Sequence, residues 1–356
     1  MAMSEVIMEE TRRVQSAGKL LLAWYMANKR SLPWRENPDP YRVWISEIML
    51  QQTRIEAVKP YFERFMKELP DIARLALVED DRLMKLWEGL GYYSRARNLK
   101  KAAQILVRDY DGRMPSSYEQ LIKLPGIGSY TAGAIASIAF GEPVPAVDGN
   151  VLRVLSRVLA SQEDILKQSV KRKMEKLLTE TMPADHAGAF NEGLMELGET
   201  VCVPGGPPKC GICPLGKLCL AFQQDLTSRI PVKSPAKNRR KEEKTVCILE
   251  SGDEIGLRKR ENTGLLASLY ELPNVEGHLK PEQVASAFGL EPGEILSVKS
   301  LPESKHIFSH IEWHMIGYWV KINRNLPKDY IAAKKEELKT IYPLPNAFGR
   351  YTKLIK

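Results

Sequence analysis

The sequence predicts a mainly α-helical N-terminal domain followed by a smaller mixed α/β domain, and three observations lead there. Between residues 15 and 222, helical apolar patterns follow one another, punctuated by Pro and Gly, with no convincing alternating strand. Four of the five cysteines crowd between positions 202 and 219. Near residue 225 the composition changes, and from about 244 strand-like runs take over. The 356 residues suffice for two or three domains that each bury a core. The expected division is a helical domain over 1–222, a basic linker over 223–243 and an α/β domain over 244–356.

In chain order, residues 15–29 place Leu20, Leu21, Trp24, Tyr25 and Met26 at helical spacing and stop before Leu32-Pro33-Trp34-Arg35, since proline disfavours helix in its predecessor. Further helical runs cover 41–54, 56–67, 82–87, 95–110, 117–123 and 164–181. Residues 229–244 carry Pro231 and Pro235 among the cations Lys233, Lys237, Arg239, Arg240 and Lys241, and read as an extended linker. Strands are expected at 245–249, 254–260 and 314–322, with turns at Ser251-Gly252-Asp253 and Glu276-Gly277.

With 52 Lys+Arg against 44 Asp+Glu, the net charge of +8 favours a polyanionic partner, weakly when taken alone. The N-terminus carries Glu5, Glu9 and Glu10 and no apolar signal core, and no stretch is long enough to span a bilayer. A cytoplasmic protein without membrane contact is expected. The cysteine cluster does not resemble an extracellular disulfide framework in a chain this long.

Three constellations carry chemistry. In Leu124-Pro125-Gly126-Ile127-Gly128, proline and two glycines make a tight turn that opens a small-residue helix at Tyr130, so backbone N–H groups at the helix start can hold a phosphate. Asp148, in a Gly/Asn turn with Gly149 and Asn150, precedes a further apolar helical pattern. Glu47 stands between Ile45 and Ile48-Met49-Leu50, where partial desolvation would raise its proton affinity. Cys202, Cys210, Cys213 and Cys219, without an accompanying His, suit a soft metal centre, either a 4Fe–4S cluster or tetrahedral zinc. Cys247 lies in an apolar strand pattern and is expected to be merely buried.

The turn and the aspartate resemble those of helix-hairpin-helix base-excision DNA glycosylases. The strings 47–54, 87–95 and 190–198 are similar to the MutY family of adenine DNA glycosylases, a resemblance that spans residues 15–222. It implies that Glu47 protonates a flipped adenine at N7 and later activates water, while Asp148 stabilises or transiently bonds the sugar carbon. Tyr130 and Asn150 would orient this centre, and Arg30, Trp34, Arg35 and Glu192 would line the adenine pocket. Gln52 and Tyr92 match the family's intercalating residues, with Leu50 and Thr53 beside them, and Gly126 and Gly128 belong to the DNA-binding hairpin. Arg95, Arg97, Lys100 and Lys101 would face phosphates. The resemblance favours a 4Fe–4S cluster over zinc, although the seven residues between Cys202 and Cys210 are one more than usual and make Cys202 the ligand least well placed.

Residues 264–273 resemble the entry to Nudix folds, but no Arg-Glu-x-x-Glu-Glu helix follows, so no Mg²⁺ cage is expected. Phe308-Ser309-His310 is similar to the loop with which MutY proteins contact 8-oxoguanine. The implied function is removal of adenine opposite 8-oxoguanine or guanine in double-stranded DNA by a monomer, nucleoid-associated when at work. The rival readings are a thymine-mismatch glycosylase, a pyrimidine-lesion glycosylase, which would normally carry Lys where Tyr130 stands and which the tyrosine argues against, and a non-enzymatic iron–sulfur DNA-binding or redox-sensing protein.

Overall fold

The computed structural model describes residues 3–235 and 238–355; Ala236 and Lys237, in the expected linker, lie outside them. The chain divides into two compact units. The first comprises residues 1–77 and 98–235; the second adds residues 78–97 to 236–356, where the sequence suggested one continuous domain over 1–222.

The first unit is helical. Its early helices are α1 (Met3–Asn28), α2 (Pro40–Leu50), α3 (Ile55–Glu68) and α4 (Ile72–Leu77). The helix α1 begins well before residue 15 because Val14 and Ala17 join Leu21 in its buried stripe. In contrast, α2 ends at Leu50, short of Arg54, because Gln52 takes a left-handed φ of 58° that no helix continues. After α5 (Asp80–Trp87), which belongs to the second unit, come α6 (Ser94–Asp109), α7 (Tyr118–Leu121), α8 (Ser129–Phe140), α9 (Gly149–Val158), α10 (Gln168–Thr181), α11 (Ala187–Thr200) and α12 (Leu220–Gln223). Asp164 to Lys167 stay out of α10: Asp164 bridges to Val232 and caps a turn through Leu166 N. Val151, Met174, Phe190 and Leu194 meet Leu21 in the core of this unit.

The second unit carries a seven-stranded sheet of order β3-β2-β1-β6-β5, with β4 paired to β1 and β7 to β2. The strands are β1 (Arg240–Ser251), β2 (Glu254–Lys259), β3 (Tyr270–Glu271), β4 (Asn274–Glu276), β5 (Ile295–Ile307), β6 (Ile311–Ile322) and β7 (Ile331–Lys334). β1 and β6 are parallel from Arg240↔Ile311 to Ser251↔Ile322, so Arg240 and Lys241 are strand rather than linker. Their exposed, charged side chains hid a pairing that only β6 specifies. Along β1, Val246 and Ile248 face one core while Cys247 and Leu249 face another, so both sides of the sheet are covered. Between β4 and β5 stands α13 (Pro281–Ala287), whose sequence PEQVASA offers a single carboxylate, Glu282, and no metal-binding set. No helix among the described residues is long and apolar enough to cross a membrane.

Candidate active site

Asp39 starts α2, its Oδ1 accepting from the backbone N of Tyr41 (3.0 Å) and Arg42 (3.2 Å), with Pro40 fixing the first turn. Almost all of the helix is buried, and it carries Glu47 into the protein, where only 6 % of the residue is exposed. Desolvation pushes the Glu47 carboxyl from its ordinary range up to about 7, helped by the nearby Glu192 and Asp148 charges and opposed by Tyr130 and Arg35. Glu47 is thus poised between acid and base near neutral pH.

Tyr130 enters from the opposite side. Leu124 to Gly128 turn the chain from α7 into α8, and Gly126 is required there twice over: its φ is 79°, and a Cβ would stand 2.7 Å from Asn98 Cβ. One residue into α8, Tyr130 donates to Glu47 Oε2 at 2.6 Å, and burial holds its own proton far above the ordinary tyrosine range.

Asp148 is the N-cap of α9. Its Oδ1 accepts from Val151 N and its Oδ2 from Asn150 Nδ2, each at 2.8 Å. Burial raises its proton affinity, while these donors and the Arg153 charge favour the carboxylate. Asn150 is aimed in turn by Arg153, whose Nη2 donates to Asn150 Oδ1 at 2.8 Å and to Gly198 O at 2.7 Å. A Cβ at Gly198 would lie 2.7 Å from Asn150 Cβ, so glycine lets α11 approach this centre.

Arg35 lies between two carboxylates of α11, donating from Nε to Glu192 at 2.9 Å and from Nη1 to Glu196 at 3.0 Å. Arg30 binds Glu196 and, at 3.0 Å, Glu199. One pocket is lined by Arg30, Trp34, Arg35, Glu47, Leu50, Tyr130, Asp148, Asn150 and Glu192. Four distant stretches of sequence therefore meet, and Leu50, expected beside the intercalating residues, lines this pocket too. Sequence reading missed Met195, Glu196 and Glu199, which line it as well. The spacing 192, 196, 199 on one helix was the available signal.

Gln52 and Thr53 stay outside this pocket, Gln52 exposed on its left-handed turn. The second unit brings another group together. Gly89, Gly91 and Tyr92 all have positive φ, which turns Tyr92 outward, 46 % exposed, with its Oη 3.2 Å from Ser309 Oγ. Tyr92, Phe308, Ser309 and His310 line a cavity of about 490 Å³. Ser309 and His310 are exposed at the β5–β6 turn; Phe308 packs edge-on between His306 and Trp313 and anchors the loop instead. Arg95 is a correction: it is buried, donates to Leu90 O and Gly91 O, and lies over the Trp87 ring, so it braces the Tyr92 loop rather than meeting phosphate. Burial lowers its pKa to about 10. Arg97 similarly donates to Ala267 O at 2.9 Å.

Cys202, Cys210, Cys213 and Cys219 line one small pocket with Arg157. No group of three or more His, Cys, Asp or Glu among the described residues is arranged around a single metal ion. The donor set nevertheless suits a multi-iron cluster, which spreads its thiolates over several irons. Arg157 places a buried cation 3.2 Å from Cys202 Sγ, while burial pushes the Cys213 thiol up to about 11. Within the long first gap Gly205 turns the chain at φ 68°, and Cys202 O accepts from Arg153 Nε at 2.8 Å and from Arg157. Cys247 is fully buried, as expected.

The description "HhH-GPD superfamily base excision DNA repair protein" matches residues 45–180, and "NUDIX domain" matches 245–354. The chain is 36 % identical to the adenine DNA glycosylase of Buchnera aphidicola subsp. Baizongia pistaciae over 85 % of this chain and 86 % of that one. It is equally 36 % identical to the adenine DNA glycosylase of Homo sapiens, covering 86 % of this chain and 67 % of that one. Among solved structures, a thermostable thymine-DNA glycosylase superposes with a TM-score of 0.53 at 28 % identity, over 60 % of this chain and 98 % of that one. The chain belongs to the adenine DNA glycosylase family.

Proposed function

We propose that this protein hydrolyses the N-glycosidic bond of adenine mispaired with 8-oxoguanine or guanine in duplex DNA. The observation that carries the reading is the pairing, in one pocket, of Glu47 at a pKa of about 7 with the capped Asp148. Cleavage of this bond builds positive charge on the sugar and negative charge on the base, so it needs a carboxylic acid for one and a carboxylate for the other. Glu47, its second oxygen held by Tyr130, delivers a proton to the base nitrogen and afterwards accepts one from water. Asp148, fixed by Val151 N and Asn150, supports the cationic sugar carbon. Arg35 and Glu192 present a donor beside an acceptor, the complement of adenine's ring nitrogen and 6-amino group.

Tyr130 stands where a Schiff-base enzyme would place a lysine amine, and its phenol cannot form that adduct, which favours hydrolysis without strand cleavage. Tyr92 and Ser309 read the opposite base, and Gln52 fills the gap left by the extruded adenine. The four cysteines hold a 4Fe–4S cluster, which when bound ties the 202–219 loop together. Incubation with duplexes carrying A opposite 8-oxoguanine, A opposite G, T opposite G or thymine glycol, with and without hot alkali, tests the reading. Alkali-dependent breaks that appear first at A opposite 8-oxoguanine are expected; faster release of thymine would overturn it.

A further inference from the structure

We propose that Glu196 is a positioning residue for base recognition: its buried carboxylate ties Arg30 to Arg35 so that Arg35 grips Glu192 and keeps one guanidinium arm for the base. The proposal rests on the adenine reading above and names the residue that sets its selectivity. Glu192 and Glu196 are one helical turn apart on α11, an arrangement in which two carboxylates repel unless a cation lies between them. Arg35 is that cation, and Arg30 closes the row from Glu196 to Glu199, giving alternating charge from Glu192 to Glu199.

The geometry of Arg35 is restricted to one orientation. Its Nε is engaged by Glu192 at 2.9 Å and its Nη1 by Glu196 at 3.0 Å, while the guanidinium carbon sits 5.6 Å from the centre of the buried Tyr25 ring. Nη2 has no partner among the described residues and remains the donor available to a bound base. The Glu196 side chain is 1 % exposed, so its charge is unscreened by water and its hold is strong. Without it, Arg35 is free to turn both arms to Glu192, which then loses its acceptor oxygen for the 6-amino group.

The test compares single-turnover release of adenine with release of purine, which lacks the 6-amino group, each opposite 8-oxoguanine. For Glu196→Gln the adenine rate should fall about tenfold, the loss of one charge-assisted hydrogen bond, while the purine rate stays within about twofold. Glu196→Asp keeps the charge a methylene further back, and should lower the adenine-to-purine ratio by only about threefold. If Glu196→Gln fails to fold, this second variant carries the test. An unchanged ratio, or an equal fall on both bases, overturns the proposal while leaving the adenine reading intact. Wild-type protein that releases neither base would overturn the reading itself, and the proposal with it.

Discussion

The base pocket of the first unit and the Tyr92–Ser309 group of the second are built on opposite plans. Glu47, Tyr130 and Asp148 stand on or at the start of regular helices, and their charges are desolvated or capped. Tyr92 and Ser309 sit on a left-handed loop and a turn, exposed and joined by one 3.2 Å contact. Proton transfer needs a raised proton affinity, which burial chiefly supplies here with help from the Glu192 and Asp148 charges, whereas reading a base inside a duplex needs accessible side chains on a braced loop. The difference predicts that damage to the first group removes chemistry, and damage to the second removes discrimination.

The sharpest break of that comparison comes from the carboxylates. Glu47→Gln keeps the shape but cannot give a proton, and Asp148→Asn cannot support a cationic sugar; each should slow single-turnover adenine release by about a thousandfold or more while duplex binding persists. Near wild-type rates in either variant would remove the two-carboxylate mechanism. The cysteine loop gives the next largest effect. Because Cys202 is held by Arg153 and Arg157, Cys202→Ser should lose iron as completely as Cys219→Ser, measured by metal analysis after anaerobic purification. Markedly better retention in Cys202→Ser would show that the seven-residue gap does weaken that ligand.

Burial of Glu47 also has a stability consequence. Its pKa rises from an ordinary 4.5 to about 7 on folding, so the native state binds more protons between those values and stability falls as pH rises through them. Glu47→Gln escapes that loss and should be more stable than wild type at pH 8, by about 2 kcal/mol after allowing for a weaker bond to Tyr130, in denaturant titrations. Equal stability at pH 8 would mean that the carboxyl is not desolvated. In the second group, Ser309→Ala should leave adenine release opposite guanine unchanged and reduce the preference for 8-oxoguanine about fivefold, roughly 1 kcal/mol for one hydrogen bond. An unchanged ratio would detach the Phe308-Ser309-His310 loop from lesion reading.

Much of the site was legible because helix periodicity and long family-like strings mark residues locally. Glu47 stood out as a carboxylate among apolar neighbours, and its burial follows from that pattern. Glu196 did not, since a glutamate in a helix ordinarily faces water, and its partners Arg30 and Arg35 come from more than 150 residues away. Arg95 was misread for the same reason: a cation on a helix suggests a solvated face, and only the folded Tyr92 loop supplies the carbonyls that bury it. The early start of β1 was likewise hidden, because charged edge residues carry no strand signal until β6 pairs with them.

The central claim, that Glu47 is the acid, is tested most directly by the pH dependence of adenine release at subsaturating duplex, where the rate constant reports the free enzyme. Only the protonated carboxyl donates, so the rate should fall as pH rises through about 7, and Glu47→Gln should show no such limb in its residual activity. A rate constant flat from about pH 5.5 to 8.5, or a limb that persists in Glu47→Gln, would contradict the account.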